Sequence, residues 1–227
     1  PRVELVTALR TDVDLVITEH GVARLRDASV AERAEALIQI ADPAFRDDRN
    51  RPALAQAFAE NVAGSTFTVV VNHLKSKGSC PEPGPNANQG DGQGCWNTAR
   101  VEAVHALLPW LEERALEAGT DNILVLGDMN AYRREDPISV FRAAGYLELV
   151  ETLEGLPQYS YRFFGQAGTL DYAFASPSLA EHVSDARIWH INADWPRNME
   201  LPQPWLRMSD HDPVIVDLDF NHSSSSR

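Results

Sequence analysis

The sequence predicts a layered fold of the α/β or α+β class. Three observations lead there. Short apolar runs with strand character alternate with segments of helical periodicity. No internal repeat interrupts that alternation. With 44% hydrophobic and 23% charged residues over 227 positions, there is enough apolar material for one or two domains with a true core. No apolar run approaches ~18 residues, so neither a membrane-spanning helix nor a membrane partner is expected. Pro1 to Arg10 has no charged segment followed by an apolar core, so no signal peptide is read in that stretch. The net charge of −13 argues against a module whose main task is to coat nucleic acid. It leaves nucleic-acid enzymes open, because bound cations can offset the local field.

The elements follow in order. Val13 to Thr18 reads as a strand, with Glu19, His20 and Gly21 as a turn. Ser29-Val-Ala-Glu32 is a capping box, and Val30, Ala34, Leu37, Ile38 and Ala41 recur at helical spacing, predicting a helix over 29–41. Asp42-Pro43 ends it, and the polar stretch 42–52 is the best internal boundary. Thr66 to Leu74 is a strong strand with Asn72 and His73 at its end and Lys75, Ser76 and Lys77 beyond. A loop from Gly78 to Trp96, rich in Pro and Gly, carries the chain's two cysteines. Cys80 and Cys95 are read either as a disulfide or as free thiols or half a metal site. A bridge would close a loop of about 15 residues, contribute ~3 kcal/mol and imply an oxidising setting.

Asn97 or Thr98 is expected to cap a helix reaching about Ala118, with Val101, Val104, Leu107, Leu108 and Leu111 buried, a kink at Pro109 and closure at Gly119. Arg100 sits in its first turn, where the helix dipole disfavours a cation; it is either a surface residue or an anion contact. Ile123 to Leu126 is a buried strand that exits at Gly127, and Asp128 and Asn130, two apart, either face one way if the chain stays extended or form a turn, the commoner use of Asp-x-Asn after a strand. Asp136-Pro137 opens a short helix ending at Gly145. Leu170 to Ser176 alternates, with Leu170, Tyr172 and Phe174 on one face and Asp171 beginning the other. Ile188 to Ile191 is a further strand candidate, Trp195 to Trp205 a loop, and Ser209-Asp-His-Asp-Pro213 leads into a final strand, Val214 to Phe220. Residues 221–227 form a polar tail expected to be disordered.

Asn72/His73, Asp128/Asn130, Asp171 and Asp210/His211 thus share one address, the end of a strand. Strand ends at one sheet edge converge on a cleft. A cluster of Asp, Asn and His without a nucleophilic Ser or Cys suits hard cations and phosphate. A carboxylate can position or deprotonate water, and imidazoles and a cation can offset charge in phosphodiester hydrolysis.

Asn-His-Leu-Lys-Ser-Lys-Gly at 72–78, Gly-Asp-Met-Asn-Ala-Tyr at 127–132, Leu-Asp-Tyr at 170–172 and Ser-Asp-His-Asp-Pro-Val at 209–214 resemble the endonuclease/exonuclease/phosphatase superfamily, most closely its bacterial extracellular nuclease branch. Arg51 to Gln56, Gly90 to Gly94, Tyr159-Ser-Tyr161, Gly165 to Gly168 and Trp189 to Asp194 are similar to that branch as well. The resemblance covers residues 46–220. It implies the DNase I-like four-layer αββα sandwich, with only the second half complete. It implies a secreted metal-dependent DNA endonuclease, extracellular or periplasmic, using Mg2+ (or Mn2+ or Ca2+). It places Asp128 and Asn130 at the attacking water, His211 at the scissile phosphate with Asp171 behind it, and His73 as a second phosphate-facing imidazole. Asp210 falls at the metal, and Asn72 and Arg100 near substrate phosphate. Met129 departs from the usual Leu or Phe and is expected to be a buried neighbour.

Residues 18–26 and 32–46 instead resemble the C-terminal end of acetyl-CoA hydrolase/transferase proteins. The chain therefore reads as a 1–45 segment joined to a 46–220 half-domain. The first half of the nuclease fold, with its metal-binding Glu, has no counterpart, and Glu19 is the one candidate to replace it. Three functions follow: an active nuclease, an inactive fragment, or a CoA-ester enzyme fragment. DNA, RNA and a small phosphoester all remain open as substrate. An uncovered sheet would favour self-association.

Overall fold

In a computed structural model the chain divides into two compact units, Pro1–Pro52 and Ala53–Arg227. The structure describes residues 15–18, 21–26, 51–61, 64–81, 83–196 and 209–220, together with Glu32, Ala36 and Gln39. In the first unit, β1 (Leu15–Thr18) and β2 (Gly21–Arg24) pair antiparallel, Thr18 opposite Gly21. The sequence reading missed β2. Glu32, Ala36 and Gln39 are helical, within the span expected for a helix. Glu19, the Ser29 cap and the apolar positions of that helix lie outside the described residues.

The second unit is mixed α/β, built on a five-stranded mixed sheet ordered β3 (Leu54–Ala59), β4 (Thr66–His73), β5 (Ile123–Asp128), β9 (Asp171–Ala175), β6 (Leu147–Glu148). β4 and β5 run parallel; the other pairs are antiparallel. The register follows from apolar patterning. Leu170, Tyr172 and Phe174 are buried on one face, as expected, and Ala173 and Ala175 are buried on the other, so β9 is covered on both sides. A hairpin of β7 (Tyr161–Phe163) and β8 (Gln166–Gly168) stands apart. A second sheet pairs β10 (Val183–Ile188) with β11 (Val214–Leu218). The strand expected over 188–191 is displaced: it ends at Ile188, and Trp189 and His190 follow it.

The core joins Leu124, Ala173 and Ala175 of the large sheet to Ala186 and Ile188 of β10. Leu149 and Val150 of α3 (Leu149–Glu154) and Leu179 of α4 (Pro177–Ala180) complete it. Ahead of these in the chain, α1 (Asn97–Ala118) buries Val104, Leu107 and Leu111 of the expected stripe, while Val101 and Leu108 are only half-buried. It runs unbroken through Pro109 and closes on Gly119, at φ 65°. Its cap differs from expectation: Trp96 caps it in a left-handed conformation, and Asn97 and Thr98 donate instead to Asp136 Oδ2 and the Pro85 carbonyl. α2 (Asp136–Ala143) has Glu135 at its cap and Pro137 in its first turn.

Candidate active site

Three neighbouring strands bring three site residues level. β4 and β5 end where the antiparallel β9 begins, so His73 pairs with Asp128 and Asp128 with Asp171 across the ladder. The segment before β11 adds Asp210 and His211. A cleft of about 730 Å3 opens over this edge, lined by His73, Ser76, Lys77, Gly78, Asp128, Asn130, Tyr132, Tyr161, Phe163, Leu170, Asp171, Ser209, Asp210 and His211. The parallel β4–β5 pair needs a close approach at its end. A Cβ on Gly127, at φ 134°, would lie 1.9 Å from the Asn72 carbonyl oxygen, so only glycine fits there.

Asp128 and Asn130 do converge, by a turn and not by extended chain. Asn130 sits at φ 47°, a conformation Asn tolerates. Its backbone N–H donates to Asp128 Oδ1 at 2.8 Å and its Nδ2 to Asp128 Oδ2 at 3.0 Å. The same Nδ2 donates to the Leu74 carbonyl at 3.0 Å, tying the ends of β4 and β5 together. His73 Nε2 lies 3.4 Å from Asp128 Oδ2. Met129 is buried, as expected.

His211 Nδ1 lies 2.7 Å from Asp171 Oδ2. Burial alone pulls the imidazole pKa down. The Asp171 hydrogen bond and the charges of Asp171, Asp128 and Asp210 more than reverse this and hold it above its ordinary value. The Tyr161 ring stacks on the imidazole, centroids 4.4 Å apart. The pair rests on a residue that sequence reasoning missed. Ser160 is fully buried, and its Oγ donates to Asp171 Oδ2 at 2.6 Å and accepts the N–H groups of Leu170 and Asp171 at 3.0 Å. The Tyr-Ser-Tyr motif marked its position without marking its role.

Asp212, also missed, is buried and accepts N–H groups from Ile191, Asn192 and Ala193 as well as facing His190 Nδ1 at 2.8 Å. Burial raises its pKa, but these bonds outweigh it and hold the carboxyl below its usual range. Asn192 in turn donates to the His211 carbonyl, so Asp212 fixes the backbone that carries His211.

Two expected phosphate contacts lie elsewhere. Asn72 is buried on the face of β4 that turns away from the cleft, because successive strand residues alternate. Arg100 is 0% exposed and its guanidinium donates to the carbonyls of Lys75, Gln93 and Cys95. It clamps the end of β4 to the cysteine loop, where Cys80 and Cys95 form a disulfide with Cα atoms 5.4 Å apart. Asp210 is exposed at the cleft.

Ligand atoms of Asp128, Asp171 and His211 lie within 4.8 Å of one another. Hard cations take carboxylate oxygens, and His211 and Ser160 occupy one oxygen of Asp171, leaving Oδ1 for a further partner. The two carboxylates therefore fit a divalent cation; Asp210 lies at the rim of the same cleft, and Glu19 is outside the described residues.

Known structures share this arrangement of strands. An endonuclease/exonuclease/phosphatase family protein from Bacteroides thetaiotaomicron superposes with a TM-score of 0.52 at 20% identity, covering 80% of this chain and 60% of that one. The fold is that of the endonuclease/exonuclease/phosphatase proteins. A mannosyl-6-phosphatase from Bacteroides thetaiotaomicron VPI-5482 matches with a TM-score of 0.51 at 19% identity, over 77% of this chain and 60% of that one. A 3′–5′ exonuclease from Neisseria meningitidis matches with 0.50 at 18% identity, over 78% and 69%. Residues 1–52 match the model of the acetyl-CoA hydrolase/transferase C-terminal domain. Over 42 residues the chain is 52% identical to 4-hydroxybutyrate coenzyme A transferase from Clostridium kluyveri, a match covering 18% of this chain and 10% of that protein. The chain thus spans a tenth of the transferase and 60% of the first two folds.

Proposed function

We propose that the cleft hydrolyses phosphodiesters with a divalent cation, and that its substrate is DNA met in an extracellular or periplasmic setting. The observation that carries this is the His211–Asp171 pair, 2.7 Å apart, set beside Asp128 at the end of three adjacent strands. Asp128, fixed by both nitrogens of Asn130, orients the attacking water and accepts its proton. Asp171 holds His211 Nδ1, so Nε2 of a protonated ring can donate to a phosphate oxygen as charge builds there. His73 offers a second imidazole beside Asp128. Asp128 and Asp171, with Asp210 at the rim, would hold Mg2+ (or Mn2+ or Ca2+), which supplies charge neutralisation at the phosphate when bound. The solved relatives include both a phosphatase and an exonuclease, and the disulfide suits an oxidising compartment.

A second reading is a fragment that keeps the phosphate-side residues and lacks a complete metal site; the chain spans 60% of two similar folds. A CoA-ester enzyme is poorly supported, because the matching segment is a tenth of the transferase. Plasmid nicking by the full chain, with Mg2+ or Mn2+ and with chelator, separates these. Metal-dependent nicking supports the hydrolase. A folded chain that neither nicks nor gains melting temperature on adding metal supports the fragment, since a competent site binds cation in the native state.

A further inference from the structure

Lys77 lines the cleft but takes no part in the chemistry above, and its surroundings are built with care. Its side chain is 26% exposed, and its ammonium pairs with Glu135 and lies 4.6 Å from the centroid of the Tyr132 ring. Glu135 is buried, and behind it, 3.9 Å away, is the fully buried Arg100. Arg100 keeps its charge at any accessible pH. Glu135 is therefore shared between two cations, and the Lys77–Glu135–Arg100 group carries a net positive charge toward a cleft whose lining includes the carboxylates Asp128, Asp171 and Asp210 beside His73 and His211.

The lysine stem is also fixed. A Cβ on Gly94 would meet Lys77 Cδ at 3.3 Å, so the backbone of the disulfide loop lies against it. Arg100 binds the carbonyls of Lys75, Gln93 and Cys95, which anchors both ends of the segment that presents Lys77. A lysine held between a ring, a carboxylate and a stapled loop has given up much of the rotamer freedom that an exposed lysine keeps. Ser76 adds an exposed hydroxyl to the same wall. Burial pulls the Lys77 pKa below its usual range, and the Glu135 contact opposes that.

We propose that Lys77 forms a second phosphate subsite, binding a phosphate of a nucleic-acid strand adjacent to the one that faces His211. This deepens and rests on the phosphodiesterase reading: it makes the substrate a chain of phosphates, not a lone phosphoester. Arg100 and Glu135 are positioning residues in this scheme, and Arg100 acts on substrate through the lysine it helps to place.

The test is equilibrium binding of a fluorescein-labelled DNA duplex to the full chain, read by anisotropy in chelator over a range of salt. Wild type, Lys77→Met and Lys77→Arg are compared. Met keeps the stem and removes the charge. Lys77→Met is expected to weaken binding about tenfold and to reduce the slope of log affinity against log salt by about one. Lys77→Arg is expected to restore the slope, which a merely structural role would not predict. An unchanged slope in Lys77→Met, or no binding by wild type, overturns the proposal. Plasmid nicking by wild type reports separately on the phosphodiesterase reading, so the two can fail independently.

Discussion

Ser160 shows how much one buried hydroxyl can organise. It donates to Asp171, accepts two backbone N–H groups, and its own carbonyl accepts the Asp212 N–H at 2.7 Å. Ser160→Ala would orphan two buried donors and release the carboxylate that orients His211. A loss of about 2–3 kcal/mol is expected in urea denaturation, together with a fall in hydrolysis larger than the stability change explains. Gly127→Ala meets a harder limit, since a backbone carbonyl and not a side chain blocks the new methyl. A loss above about 4 kcal/mol, or failure to fold, is expected. His211 makes a pH prediction. Its folded pKa is raised, so its contribution to stability is complete below about pH 6.5, the ordinary imidazole value. That contribution is lost as pH rises through the raised value. The stability gap between wild type and His211→Asn, measured in chelator, should therefore narrow as pH rises above about 6.5, through the raised value. A gap that widens over that window would contradict the assignment of the cause to Asp171.

At the scale of elements, the legible pieces were those with strong apolar patterning. The strands around Val70, Val125 and Phe174 and the long helix stand close to their expected places. β3 was missed because Leu-Ala-Gln-Ala-Phe-Ala is rich in alanine, a poor strand former, and pairs only through the ladder it makes with β4. The strand over Val183–Ile188 was displaced because Ser184, Asp185 and Arg187 mask its pattern. Arg187 is held by Asp185 on its own strand and by Asp217 on the partner strand, an arrangement invisible without the fold. The cysteine loop was read with its staple left open, and the bridge is present. Replacing both cysteines by Ser should cost about 3 kcal/mol in chemical denaturation. Because Arg100 binds the Gln93 and Cys95 carbonyls, the end of β4 should also lose hydrogen-exchange protection at Leu74.

For the whole molecule, the site was legible because its residues are punctuation at strand ends, and punctuation survives in sequence. What was not legible is what packs beneath it. The alternation along β4 that turns Asn72 inward, and the burial of Arg100, depend on neighbours tens of residues away. Two units of different resemblance stand in one chain, and the chain spans 60% of a similar fold. Leu54 and Val71, opposite each other on β3 and β4, are 61% and 48% exposed. β3 is also an edge strand of its sheet. Association of copies through this surface is expected in light scattering at high concentration, and Leu54→Lys should reduce it. The most direct measurement of the chemistry needs no macromolecular substrate: hydrolysis of bis(p-nitrophenyl) phosphate by the full chain and by His211→Ala, with Mg2+ or Mn2+ and with chelator. Turnover that requires metal and falls by about a hundredfold or more in the variant is the expected result. Equal rates in the two proteins, or turnover untouched by chelator, would contradict a metal-assisted phosphodiesterase built on His211.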